Sequence, residues 1–311
     1  QVGAGLDLAS ILGALAVLLL IGGALRRQKD TADFFLGRRR VPWWAAALSF
    51  LATEVSAVTI ISVPAPAYRE NWAHFQFFIG STLAKFAGAW LFIPAFYRHD
   101  VTTIYEFLSI RFGRVTQVTG SIFFFLTRLT GSGVRLMAAC LAVSILLGWP
   151  LVPTVLFFTA ISIVYMALGG VRAIVWSNVF QALVFLLAGT LTLVFLVSQI
   201  EGGVAGLLRV AGEGGRLDVI RWGPAPGDPD FWRRVLTDPN IVWVAVLNGF
   251  VGSMAAFGTD HDLMQRLLSV ETRRESQRTL SVTPIGTLVT LILYLALGAG
   301  LYAFYVQHPG L

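Results

Sequence analysis

The chain has little charge for its length. Only 13% of its 311 residues are Asp, Glu, Lys or Arg, against 56% hydrophobic residues and a mean hydropathy of +0.73. A soluble domain usually carries about 25% charged residues, so that class is excluded. Cysteine is nearly absent: Cys140 stands alone, which rules out an internal disulfide. His74, His99, His261 and His308 show no metal-ligand spacing, and no phosphate loop, nucleophile elbow or Ser/His/Asp set is present. Nothing here predicts an enzyme. A cationic n-region, short apolar core and small-residue cleavage site do not occur in that order, so the first apolar run reads as a retained helix rather than a signal peptide.

What the chain does have is long apolar runs. A run of about 20 such residues, at about 1.5 Å per residue, covers the roughly 30 Å of bilayer hydrocarbon. A transmembrane barrel would instead show short alternating strands. Hydropathy places eight candidate spans near 7–25, 41–66, 73–97, 117–148, 153–169, 173–198, 241–258 and 280–305. The fold class expected is an all-α, polytopic helical membrane protein.

The formal charge of +6 reflects loop arginines rather than a nucleic-acid surface. Arg26, Arg27, Lys29, Arg38, Arg39, Arg40, Arg98, Arg111, Arg114, Arg172, Arg266, Arg273, Arg274 and Arg278 fall in alternate connections. By the positive-inside bias these face the cytoplasm, which turns the N-terminus outward. The long 199–240 connection mixes Arg with Asp and Glu and carries little weight in that rule. Trp43, Trp44, Trp149 and Trp176 sit at predicted span ends, as an aromatic belt would place them.

One span is unlike the others. PWWAAALSFLATEVSAVTIISVPAPAY (Pro42 to Tyr68) carries Thr53, Glu54, Ser56 and Thr59 at its middle and two prolines near its end. An intramembrane carboxylate costs roughly 2.5–3.5 kcal/mol on insertion scales, so a cavity, partner or ion must compensate it. Interrupted backbone at this depth lines a cavity and turns its freed carbonyls into cation ligands. The alternative is a helix merely kinked at Pro64, with Glu54 buried against an arginine.

In the next span His74, Phe78, Ser81, Lys85 and Gly88 recur at steps of three and four, on one helical face. Lys85 is either a partner for Glu54, a substrate-facing cation or a snorkelling chain. Arg128 and Arg135, seven apart, share a face and need anions: a solute carboxylate or phosphate, or an internal acid such as Glu54 or Glu106. Asp260, His261 and Asp262 read as a helix start rather than a metal site.

Several stretches together resemble the sodium:solute symporter family, whose inverted-repeat fold is shared with the amino-acid transporter LeuT. They are DFFLGRRRVPWW (Asp33 to Trp44), ATEVSA (Ala52 to Ala57), VTTIYEFLSIRFG (Val101 to Gly113), YMALGGVRAIVWSNVFQ (Tyr165 to Gln181) and FGTDHDLMQR (Phe257 to Arg266). Each is loose, but their order and spacing along nearly the whole chain make the match specific. The resemblance implies one transmembrane domain over 1–311: a leading helix and cytoplasmic loop (1–40), a first five-helix repeat (41–198), an extracellular loop (199–240) and the start of a second repeat (241–311). That repeat is incomplete, so the chain reads as a C-terminally truncated fragment.

By the same resemblance the spans at 41–66 and 241–258 are the two broken helices. Sodium, the co-transported ion, takes the backbone carbonyls of Ala52 and Val55, its other ligands coming from a later helix beyond Leu311. Solute is contacted from Glu54, Ser56, Thr59, His74 and Phe78, and approximately Ser253. Arg128 and Arg135 lie near a region that some members use for acidic substrates. The family usually has aspartate on the sodium exit path where this chain has Asn178, which implies one sodium per cycle.

The implied activity is sodium-coupled symport of a small polar organic solute, such as a sugar, amino acid or organic acid, by alternating access in the plasma (inner) membrane. The expected partners are that solute and the bilayer, with no nucleic acid and no obligate protein partner. A transporter-like sensor module feeding a signalling domain beyond the C-terminus is the alternative.

Overall fold

The computed structural model describes residues 2–25, 31–55, 57–101, 103–225 and 227–310. Among them every regular element is helical: α1 (Val2–Ala24), α2 (Thr31–Leu36), a 3-10 turn (Gly37–Arg39), α3 (Trp43–Glu54), α4 (Ala57–Ser62), α5 (Pro64–Arg69), α6 (His74–Arg98), α7 (Ile104–Phe112), α8 (Arg114–Leu147), α9 (Leu151–Ser198), α10 (Gly203–Glu213), α11 (Phe231–Thr237), α12 (Val242–Thr259), α13 (His261–Leu268) and α14 (Arg273–Gln307).

Each of the eight predicted spans meets an apolar helix. Five stretches are long and apolar enough to cross a membrane: His74–Arg98, Arg114–Leu147, Gly170–Ser198, Phe231–Gly258 and Arg273–Gln307. The pair Trp43–Glu54 and Val58–Arg69 makes a sixth if taken as one broken span, and Leu8–Ala24 and Leu151–Val164 are shorter apolar helices. The protein is a multi-pass membrane protein. α9 divides inside at Gly170, whose φ of 57° and ψ of −162° no helix contains. That is where two spans were expected to part.

Four connections expected to be plain loops hold helices, the first of them α2 in the 26–40 connection. α7 starts on Thr103, whose hydroxyl accepts from the Glu106 N–H, a capping-box spacing. It ends at Gly113, whose φ of 88° favours glycine. α10 and α11 lie in the long 199–240 connection, and α13 follows α12 after a single extended residue, Asp260.

The contacts divide the chain into two compact units. One comprises residues 1–58, 93–182 and 259–279. Its core gathers Val41, Ala45, Ala46, Val171, Val175, Val179 and Val270, so the small residues of α3 meet the β-branched residues of α9. Trp44 and Trp176 pack edge to face at 5.6 Å over this seam. The Val41 N–H donates to the Ser269 carbonyl at 3.2 Å, and the Tyr97 hydroxyl donates to the Leu267 and Val270 carbonyls at 3.1 and 3.0 Å.

The other unit comprises residues 59–92, 183–258 and 280–311. Its core is built from Val63, Ala67, Leu196, Ile200, Leu207, Leu291, Leu293, Tyr294, Leu295, Leu297 and Ala303. Here α6 and α12 approach backbone to backbone: a Cβ on Gly80 would collide with the Val246 carbonyl, and one on Gly249 with the Phe77 carbonyl. Buried Gln76 ties the start of α6 to the long connection that precedes α12. Its amide donates to the Ala73 and Asn240 carbonyls at 3.1 and 2.8 Å and accepts from the Arg221 N–H at 3.0 Å.

Candidate functional site

The helix that opens the Pro42 to Tyr68 segment starts on Pro42, whose φ of −64° and ψ of 141° suit a helix entry. It buries Ala45, Ala46, Ala47, Ser49, Phe50 and Leu51 and stops at Glu54. Val55 is extended, with φ −86° and ψ 121°, and its N–H donates to the Leu51 carbonyl at 2.8 Å. The interruption expected from the polar residues is therefore present. The last carbonyls of a helix lack intrahelical donors and carry the negative end of its dipole. Ala52 and Val55, both half-buried, belong to that terminus. Ser56, expected to contact solute, lies outside the described residues.

Asn178 of α9 reaches the last turns of α3. Its amide nitrogen donates to Ser49 Oγ at 3.0 Å and Thr53 Oγ1 at 3.3 Å, while Thr53 Oγ1 donates back to the Ser49 carbonyl at 2.8 Å. The residue assigned to the exit path thus touches the turn that carries Ala52. Neither Ser49 nor the Ser49–Asn178 contact was singled out from the sequence, because the partners are 129 residues apart. Glu54 is half-buried at the helix end.

The same unit holds a second interruption. α12 ends at Thr259, Asp260 is extended with φ −80° and ψ 108°, and α13 begins at His261. Asp260 caps α13 by accepting from the N–H groups of Asp262 and Leu263 at 2.9 and 3.3 Å. Arg128 of α8 donates from Nη1 to Asp260 Oδ2 at 3.2 Å and pairs with Asp262 through Nη2. Of the readings open for Arg128, the structure supplies internal acids, and they are Asp260 and Asp262 in place of Glu54 or Glu106. Arg135, two turns on, is exposed.

Tyr105 and Phe124 enclose His261, with ring centroids 6.0 and 6.5 Å away. Burial lowers the His261 pKa below its ordinary 6.5; Asp260 opposes that shift and Arg266 adds to it. Burial, and after it the Asp260 charge, pushes the Tyr105 phenol up to about 12.

The remaining expected solute contacts lie in the other unit. Thr59 is half-buried in α4, and its carbonyl accepts from the Val63 N–H at 3.1 Å. His74, exposed at the start of α6, stacks on Phe77 at 5.7 Å. Phe78 packs against the core of that unit. Buried Ser253 of α12 donates to Ser81 Oγ at 2.9 Å. Lys85 is fully buried, donates to Thr287 Oγ1 at 2.9 Å and lies 5.8 Å over the Phe257 ring. The lower part of the α6 stripe, Ser81, Lys85 and Gly88, therefore faces α12 and α14.

The model of the sodium:solute symporter family matches residues 34–308. The sodium/sialic acid symporter SiaT of Proteus mirabilis (strain HI4320) is 29% identical over 312 residues, covering 98% of this chain and 60% of that protein. The sodium-coupled monocarboxylate transporter 2 of Mus musculus is 28% identical over 280 residues, covering 90% of this chain and 44% of its own length. A solved structure of a Na+-coupled sialic acid symporter, in a substrate-bound outward-open state, superposes with a TM-score of 0.84 at 25% identity. It covers 97% of this chain and 62% of that one. The chain thus spans between about two fifths and three fifths of the relatives it matches. These relatives are transporters rather than enzymes, and the all-helical LeuT-like architecture is theirs as well. Together with the interrupted helices, the match across almost the whole length settles the identification: the chain belongs to the sodium:solute symporter family.

Proposed function

We propose that this chain forms the sodium-binding part of a secondary transporter that carries a small polar organic solute together with Na+ by alternating access. The observation that carries the reading is the end of α3 at Glu54 and Val55, which offers helix-terminal carbonyls at the break of an otherwise apolar segment. Hard cations take oxygen ligands, and broken helices present such carbonyls to Na+ in this transporter architecture. Ala52 and Val55 are the proposed ligands.

Asn178 stands beside this turn without a charge. An amide keeps an oxygen but adds no field to hold a second cation, so the proposed stoichiometry is one sodium per cycle. Inward movement of one charge gains about 2.3 kcal/mol per 100 mV of membrane potential, which would drive solute accumulation. The proposed setting is the plasma (inner) membrane, and the arginine distribution supports a topology with the N-terminus outward.

Glu54, Ser56, Thr59, His74, Phe78 and Ser253 are the proposed solute contacts, carried over from the family resemblance. A sialic acid and a monocarboxylate, the solutes named for the relatives, are both carboxylates. An anion role for Arg128 requires the solute to compete with Asp260 and Asp262, whereas Arg135 has no such competitor among the described residues. The test is uptake by the protein in proteoliposomes from a panel of sialic acids, monocarboxylates, sugars and amino acids, under inward Na+ or K+ gradients. At least one solute should accumulate under Na+ alone. Uptake indifferent to replacing Na+ with K+ would refute sodium coupling.

A further inference from the structure

The arginines near the end of α6 and the start of α14 are not all used alike. Arg39 pairs with Asp100 at 2.8 Å, Arg172 approaches Asp33 at 3.9 Å, and Arg278 lies 3.9 Å over the Trp43 ring. Arg98 and Arg273 differ from these: both are exposed, and neither has a hydrogen-bond, ion-pair or ring partner among the described residues. Both line one open cavity of about 650 Å³, whose other walls are Pro94, Ala95 and Tyr97.

We propose that this cavity binds the phosphate group of an anionic membrane phospholipid, with Arg98 and Arg273 as its ligands. Two guanidinium forks suit a phosphate, whose oxygens accept paired N–H donors. The place suits a lipid, because Arg98 is the last residue of one membrane-length helix and Arg273 the first of another. At such ends basic pockets meet anionic headgroups.

The size points the same way. A volume of about 650 Å³ lies within the roughly 300–1,000 Å³ that holds a small organic molecule, far more than a bare phosphate fills. Pro94, Ala95 and the Tyr97 ring give the walls an apolar character that suits the glycerol end of a lipid. The Tyr97 hydroxyl is fixed by the carbonyls of Leu267 and Val270, so that wall is held in place. The acids nearest in sequence, Asp100, Glu271 and Glu275, each two residues from one of these arginines, do not line the cavity.

The experiment measures retention of phosphatidylglycerol and phosphatidylcholine by the delipidated, purified protein in detergent, using native mass spectrometry. Each interfacial arginine contributes about fivefold to anionic-lipid affinity, so R98Q/R273Q should lose roughly twenty-five-fold. Phosphatidylcholine binding should not change, and R98K/R273K should recover part of the loss. Equal phosphatidylglycerol retention by R98Q/R273Q and the unaltered protein overturns the proposal. Displacement of the lipid by inorganic phosphate at equal concentration overturns the lipid assignment in favour of a free-anion site. Photoactivatable phosphatidylglycerol on the unaltered protein gives a reading that does not depend on folding of the variants. Adducts are expected within residues 94–98 and at Arg273, and adducts only elsewhere contradict the site.

Discussion

Arg128→Gln separates two roles open to this guanidinium. In the structure it bridges the two carboxylates at the start of α13, and the side chains of Arg128, Asp260 and Asp262 are 26%, 23% and 36% exposed. Breaking a fully buried pair costs about 3–5 kcal/mol, whereas an exposed pair is worth about 0–1 kcal/mol. At this intermediate exposure the variant should lose ~2 kcal/mol, because two like charges are left facing one another.

Asp260 carries a second duty, the cap on α13. Asp260→Asn keeps an oxygen for the cap and gives up only its share of the pair, ~1 kcal/mol, while Asp260→Ala also loses the cap, a further ~1 kcal/mol. In the double variant R128Q/D260N the pair is already gone and the facing carboxylate charges are relieved, so its loss should be no greater than that of R128Q alone and well short of the sum. The assay is unfolding of the purified protein in mixed micelles, followed by near-UV circular dichroism. Wild-type stability for R128Q, or additive losses in the double variant, refutes the reasoning. If Arg128 instead waits for the solute's carboxylate, its removal raises KM and leaves stability untouched.

Three further outcomes follow from other residues. Asn178→Asp adds a carboxylate beside the turn that carries Ala52, and a charge pair roughly 8 Å apart is worth ~2 kcal/mol at an effective dielectric of about 20; the sodium Kd should then fall by roughly thirtyfold, and unchanged sodium affinity in a binding titration would disconnect Asn178 from the ion. Gly80→Ala should destabilise by ~3 kcal/mol because its Cβ meets the Val246 carbonyl, whereas Gly131→Ala, with nothing within 4 Å, should be neutral or stabilise by up to ~1 kcal/mol; equal melting temperatures for the two variants would contradict the close crossing of α6 and α12. His261 has a lowered pKa in the fold, so the unfolded chain binds the proton more readily and stability rises with pH. Its contribution is complete above the ordinary 6.5 and is lost as pH falls from there through the lowered folded value; His261→Phe should flatten that part of a melting-temperature profile, and an unchanged slope would refute it.

Much of the architecture was legible because bilayer thickness sets helix length, and apolar helices stand at each of the eight positions read from apolar runs, five of them long enough to cross a membrane and a sixth if the bent pair is one span. The break near Val55 was legible too, since Thr53, Glu54 and Ser56 interrupt such a run. So was the break in α9, where Gly169 and Gly170 stand together. α7 was passed over although Thr103 and Glu106 carry a capping spacing, because hydropathy does not distinguish a short amphipathic helix from a loop. The partners of Arg128, Lys85 and Asn178 were beyond reach for another reason. They lie 132 and 134, 202, and 125 and 129 residues away, and local spacing carries no information about pairing over such distances. The α6 stripe shows both sides: its common face followed from helical periodicity, but its contacts to α12 and α14 did not.

The central claim is that the broken helix holds one sodium through carbonyls at its end. Equilibrium binding of radiolabelled sodium to the purified protein, with and without excess potassium, tests this directly and needs no knowledge of the solute. The account predicts saturable binding of one sodium per chain that unlabelled sodium displaces and potassium does not. Absence of saturable binding, or equal displacement by potassium, would contradict it.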